Sequence, residues 1–120
     1  MKKILIVDDE PNIVMTLEYT FKKSNYEVFI ARDGQEALDI LKTNFPDVII
    51  LDITMPMVDG FATLEQIRKD ANLQHTKVMF LSAKNKESDI EKGLALGADA
   101  YMTKPFSIKK VVEKVEELLN

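Results

Sequence analysis

The sequence predicts an α/β fold, a doubly wound five-stranded parallel sheet in the strand order 2-1-3-4-5. Three observations lead to it. Five short apolar runs alternate with longer amphipathic stretches along the 120 residues. The runs ILIV (4–7), VIIL (48–51) and VMFL (78–81) are uninterrupted, as in strands covered on both faces. The stretches between runs are long enough to return over a sheet as helices, which parallel pairing requires.

The elements follow in order. After strand 1 (ILIV), Pro11 suits a first helical turn with Asp9 as its candidate cap, and Ile13, Leu17 and Phe21 recur at spacing four. VFIA (28–31) is strand 2, and Ala37, Leu38 and Leu41 form the stripe of the next helix. VIIL is strand 3, and Phe61, Leu64 and Ile67 mark the third helix. VMFL is strand 4, followed by Ile90 and Leu94 on a helix that Gly97 ends. AYMT (100–103) is strand 5. The last helix places Ile108, Val111, Val112, Val115, Leu118 and Leu119 on one face and charged residues around the rest. Right-handed crossovers leave few topologies. With the three most apolar strands central, the chain reverses direction between strands 1 and 3. Sites in such sheets lie outside the carboxyl ends of the strands at that switch point.

Composition narrows the function. A chain of 120 residues, 46% apolar and 30% charged, is expected to form one domain over residues 1–120 with a core that needs no staples. The absence of cysteine excludes disulfides and thiolate metal sites. No apolar run approaches the ~20 residues of a membrane span. The basic start MKK is followed by only four apolar residues and then acids, which excludes a secretory signal and makes the cytoplasm the expected address. A net charge of −4 is a poor footprint for nucleic acid.

The carboxyl ends of the predicted strands carry the chemistry. Strand 1 ends in Asp8 and Asp9, strand 3 in Asp52, strand 4 in Ser82 and strand 5 in Lys104. The predicted topology puts the three acids on neighbouring strands. Two like charges ~4 Å apart cost roughly 4 kcal/mol at an effective dielectric of ~20, so a cation is needed. Oxygen ligands with no His or Cys nearby suit Mg²⁺ rather than Zn²⁺. Lys104 can neutralise one carboxylate or bind a phosphoryl oxygen, and Ser82 offers a hydroxyl. Such a set suits phosphoryl transfer, with Asp52 as the nucleophile that becomes an aspartyl phosphate.

IVDDE at strand 1, LDITMPMVDG after strand 3, LSA at strand 4 and YMTKPF at strand 5 together resemble the receiver domain of two-component response regulators, the chemotaxis-regulator-like (βα)5 flavodoxin-like fold. The resemblance covers the whole chain. It implies that Asp52 is the phosphoacceptor charged by a sensor histidine kinase or phosphotransfer protein. It implies direct Mg²⁺ ligation by Asp9 and Asp52, by Asp8 largely through water, and by the main-chain carbonyl of Thr54. Lys104 would pair with the phosphoryl group, Ser82 and Tyr101 would be the switch hydroxyl and aromatic, and Pro105 would follow a cis peptide bond. Met55, Pro56 and Gly60 would belong to the loop after the acceptor, and Thr54 and Lys84 would influence the phosphoryl lifetime. The implied role is a signalling switch, not an enzyme beyond its own phosphorylation and slow dephosphorylation. It acts on an output protein or attached effector domain, without touching nucleic acid or membrane itself. Two positions depart from the family pattern: Ser82 stands where Thr is also common, and Ala100 where members with winged-helix outputs often carry an acid.

Other classes fit less well. A haloacid-dehalogenase-type phosphatase needs a second acid two residues after its nucleophile, where Thr54 stands here. Asp-Asp-Glu-Pro after strand 1 would repel a flavin phosphate, and there is no G-x-x-x-x-G-K-[ST] loop for a nucleotide. A phosphorylation-independent interaction module would keep the fold without responding to Mg²⁺ and beryllofluoride.

Overall fold

The computed structural model describes residues 1–55 and 58–120. Strands and helices alternate through it: β1 (Lys3–Val7), α1 (Pro11–Lys23), β2 (Glu27–Ala31), α2 (Gly34–Ile40), β3 (Val48–Leu51), α3 (Gly60–Lys69), β4 (Lys77–Ser82), α4 (Glu87–Ala95), β5 (Ala100–Thr103) and α5 (Ile108–Leu119). A short 3-10 turn over Ala71–Leu73, which the hydrophobic pattern does not signal, lies between α3 and β4. The strands form one parallel sheet in the order β2-β1-β3-β4-β5, as expected.

Alternation along each central strand divides the core in two. Leu5 and Val7 of β1, Ile49 and Leu51 of β3, and Val78 and Phe80 of β4 face α2 and α3. Ile4, Ile6, Val48, Ile50, Met79 and Leu81 face the other way, onto Leu17 and Phe21 of α1 and Val111 and Val115 of α5. Both faces are covered, which is why these strands read as unbroken apolar runs. Each fully buried Leu, Ile or Phe contributes ~1.5–3 kcal/mol, so the two layers fix the sheet register and with it the level of every strand end.

Two local expectations are corrected. Asp9 is not the cap of α1: the N-cap is Glu10, which makes no side-chain cap bond, and Pro11 opens the helix. The Asp9 side chain belongs instead to the acidic rim described below. Ile90 and Leu94 are not the buried stripe of α4. Leu94 is 47% exposed, Ile90 is half-buried, and the residue the helix buries is Gly93. A Cβ at Gly93 would stand 3.0 Å from the Phe80 ring and 3.1 Å from that of Tyr101. The helix therefore seats its backbone on these two aromatics, and Leu94 turns outward. Gly97 ends the segment as expected, at φ 109°.

Asp99, just before β5, is tied to Arg68 of α3 at 2.9 Å and accepts the backbone N–H of Val78 at 2.8 Å. The same guanidinium donates to the carbonyls of Gly97 (3.0 Å) and Thr76 (2.8 Å). One side chain thus closes the lower corner between α3, β4 and the entry to β5.

Candidate functional site

The sheet register builds the site. Val7 of β1 pairs with Leu51 of β3, so Asp8 and Asp52, the next residues, leave adjacent strands at the same level. The pairing continues one step beyond the strands: the Asp52 N–H donates to the Val7 carbonyl at 2.9 Å, and the Asp8 N–H to the Ala31 carbonyl at 3.1 Å. Both side chains are buried, at 3% exposure for each residue, while Asp9 is exposed. Among the described residues, Asp8, Asp9 and Asp52 each present a carboxylate oxygen within 4.8 Å of the others.

Lys104 enters from the opposite side. Its N–H donates to the Ser82 carbonyl at 2.8 Å, which carries the β4–β5 pairing past Ser82–Thr103 and holds the residue at the level of the acids. Its Nζ lies 3.0 Å from Asp8 Oδ2, 2.9 Å from Glu10 Oε1 and 3.6 Å from Asp52 Oδ2. The Lys104–Pro105 peptide is cis.

The electrostatics are those of a carboxylate pair with too little positive charge. Burial pushes the Asp52 carboxyl above the ordinary value and the Asp8 charge pushes the same way, while Lys104 and the N–H groups of Ile53 and Thr54 only partly oppose them. Burial likewise raises Asp8, against the Glu10 N–H and Lys104. Burial pulls the Lys104 ammonium down, but Glu10, Asp8 and Asp52 outweigh it and leave it above the ordinary lysine value. The donor set fits a hard divalent cation: three carboxylates converge, and two of them are buried with their charge incompletely offset. Asp8, Asp9 and Asp52 would hold it.

The loop after Asp52 folds back on it. The Gly60 N–H donates to the Ile53 carbonyl at 2.9 Å. A Cβ at Gly60 would clash with the Asp52 carbonyl oxygen and stand 2.6 Å from Ile53 Cα, so only glycine permits this approach. Met55 is buried and its N–H also reaches the Ile53 carbonyl, at 3.1 Å. Thr54 is exposed and shares with Lys84 an open cavity that Ile53 and Met55 also line. Pro56 lies outside the described residues. Asp59 caps α3 by accepting the Ala62 N–H at 2.9 Å.

Ser82 is fully buried, and its Oγ accepts the Lys84 N–H at 3.2 Å. Tyr101 is not gathered to the acids. Its ring is half-buried 5.7 Å from that of Phe80, and its hydroxyl donates to the Lys84 carbonyl at 2.7 Å. Ser82 and Tyr101 therefore meet at Lys84, through its N–H and its carbonyl. The sequence reading missed Glu10 as the closest partner of Lys104. Its adjacency to Asp8 and Asp9 was the available signal, but 94 residues separate it from the lysine.

The chain is similar to known proteins in sequence and in fold. The family described as response regulator receiver domain matches residues 4–116. The alkaline phosphatase synthesis transcriptional regulatory protein PhoP of Bacillus subtilis (strain 168) is 45% identical over 118 residues, 98% of this chain and 48% of that protein. The chain thus spans about half the length of this curated relative. Among solved structures, the receiver domain of Francisella response regulator 1452 superposes with a TM-score of 0.91 at 36% identity, covering 99% of this chain and 97% of that one. The chemotaxis response regulator CheY4 of Vibrio cholerae gives 0.93 at 31% identity, covering 99% of both chains.

Proposed function

The chain belongs to the response regulator receiver domain family, and on that premise we propose that it is the phosphoacceptor switch of a two-component system with Asp52 as the acceptor. The observation that carries this reading is the placement of Lys104 Nζ within 3.6 Å of both buried acids, Asp8 and Asp52, at the sheet's switch point. Residues 1–120 act as one receiver domain. The phosphoryl group comes from a phosphohistidine of a sensor kinase or phosphotransfer protein, or from a small phosphodonor. The Asp52 carboxylate attacks phosphorus, the P–N bond to the donor imidazole breaks as the new P–O bond forms, and the imidazole keeps the electron pair and takes up a proton.

Asp8, Asp9, Asp52 and the Thr54 main-chain carbonyl would hold Mg²⁺, which supplies charge neutralisation and positioning for the phosphoryl oxygens. Lys104 pairs with a phosphoryl oxygen as charge builds there. The Ser82 hydroxyl donates to another, leaving the Lys84 N–H to which it is now bonded. Because Tyr101 is bonded to the same Lys84, the move of Ser82 alters the seat of Tyr101 and the α4–β5–α5 face above it. The shift of population is bounded by the difference in phosphoryl binding energy between the two states. Thr54 and Lys84, on the open rim, tune how long the phosphoryl group lasts against water.

The output is a protein or attached effector domain recognised by that face. The domain itself contacts neither nucleic acid nor membrane and works in the cytoplasm; among the described residues no helix is long and apolar enough to span a bilayer. It is a signalling domain whose only catalysis is its own phosphorylation and slow dephosphorylation.

Incubation with acetyl phosphate and Mg²⁺ is expected to label the chain once, and Asp52→Asn to abolish the label. Equal labelling of the variant would overturn the acceptor assignment.

A further inference from the structure

We infer that Glu10 is a latch on Lys104: it holds the ammonium in the resting state, competes with the phosphoryl group for it, and so sets how readily the switch turns on. This rests on the proposed function and adds a residue to it. Of the three carboxylates around Lys104 Nζ, Glu10 is nearest at 2.9 Å and Asp52 farthest at 3.6 Å. The two near partners differ in freedom. Asp8 is buried and its other oxygen accepts the Glu10 N–H at 3.0 Å, so it is fixed by the backbone. The Glu10 side chain is 58% exposed and makes no cap bond to α1. Among the described residues its only side-chain partner is Lys104. A long solvated carboxylate that can swing out is the partner most easily given up when a dianion forms on Asp52. Until then its charge occupies a donor that the phosphoryl group needs, and adds repulsion at the same rim.

The latch acts through Lys104, and a charge that merely repels the phosphoryl group would act directly. A double-mutant cycle separates the two. Beryllofluoride affinity is measured by ¹⁹F NMR at saturating Mg²⁺, so that any loss of cation affinity drops out. Glu10→Gln is expected to bind beryllofluoride about two- to fivefold more tightly than the unaltered chain, the range of a partly solvated ion pair. In a Lys104→Gln background the same substitution is expected to change nothing. The Lys104 ammonium ¹⁵N resonance of the resting chain is expected to move in Glu10→Gln, a signature that a purely structural role for Glu10 would not produce. Unchanged affinity in Glu10→Gln overturns the latch while leaving the acceptor reading intact. A gain that persists in the Lys104→Gln background overturns it in favour of direct repulsion. Failure of the unaltered chain to bind beryllofluoride with Mg²⁺ removes the acceptor reading and the latch together.

Discussion

The Lys104 ammonium stands closer to Asp8 (3.0 Å) than to Asp52 (3.6 Å). The Asp52 carboxylate is therefore the least compensated of the acids the lysine faces, in a site whose burial already disfavours its charge. A group held in that condition gains most from a new cation or from a change of its own charge.

Removing that charge stabilises the resting fold. The folded pKa of Asp52 is raised by burial and by Asp8, so between the ordinary carboxylate value and the raised one the folded chain holds a proton that the unfolded chain has released. Stability falls as pH rises through that window. Asp52→Asn is expected to gain about 1–2 kcal/mol at neutral pH without divalent cations, read as a Tm higher by a few degrees. The gain should vanish below the ordinary carboxylate pKa, where the unaltered chain is neutral there too. An equal gain at acid pH would mean that charge is not the cause.

Divalent cations should do the same by binding. Mg²⁺ at about 100 times its dissociation constant is expected to add roughly 2.7 kcal/mol to the unaltered chain, seen as a Tm that climbs with Mg²⁺ concentration. Asp9→Asn should flatten the climb while leaving the cation-free Tm nearly unchanged, because the Asp9 side chain is exposed to solvent.

Lys104 works in the other pH direction. Its folded pKa is raised above the ordinary lysine value by Glu10, Asp8 and Asp52 against the opposing effect of burial. The stability it contributes is fully present below that ordinary value and is lost as pH rises through the raised one. Lys104→Met is expected to cost about 1–3 kcal/mol at neutral pH by leaving Asp8 and Asp52 unpaired. The loss should shrink on acidification as the two acids protonate, which denaturant melts at several pH values would record.

Gly60→Ala tests the loop geometry. The added Cβ meets the Asp52 carbonyl oxygen and Ile53 Cα, both backbone, so the loop must move. A loss of about 2 kcal/mol or more and slower labelling by acetyl phosphate are expected together. Unchanged labelling would show that this approach does not position Asp52.

Arg68 is expected to behave as structure alone. Arg68→Ala takes the guanidinium from the Thr76 and Gly97 carbonyls and leaves Asp99 only the Val78 N–H, and should cost about 2–3 kcal/mol. Arg68→Lys should recover only part of it, since a single ammonium cannot span three acceptors. Beryllofluoride affinity should not change in either variant, because the brace lies at the opposite end of β4 from Ser82.

Strand order, the two apolar layers and the level at which the three acids emerge were legible in the residues alone. Unbroken apolar runs and helical spacing carry that information locally, and parallel register converts it into adjacency: Val7 opposite Leu51 makes Asp8 opposite Asp52. Contacts that reach across the fold were not legible there. The Glu10–Lys104 pair joins residues 94 apart, the Arg68–Asp99 brace joins residues 31 apart, and neither leaves a local pattern. The seat of α4 on Gly93 was hidden for a related reason. A helical stripe marks which side chains are apolar, but a backbone packed against Phe80 and Tyr101 lets the helix bury the one residue without a side chain and turn its leucine to solvent.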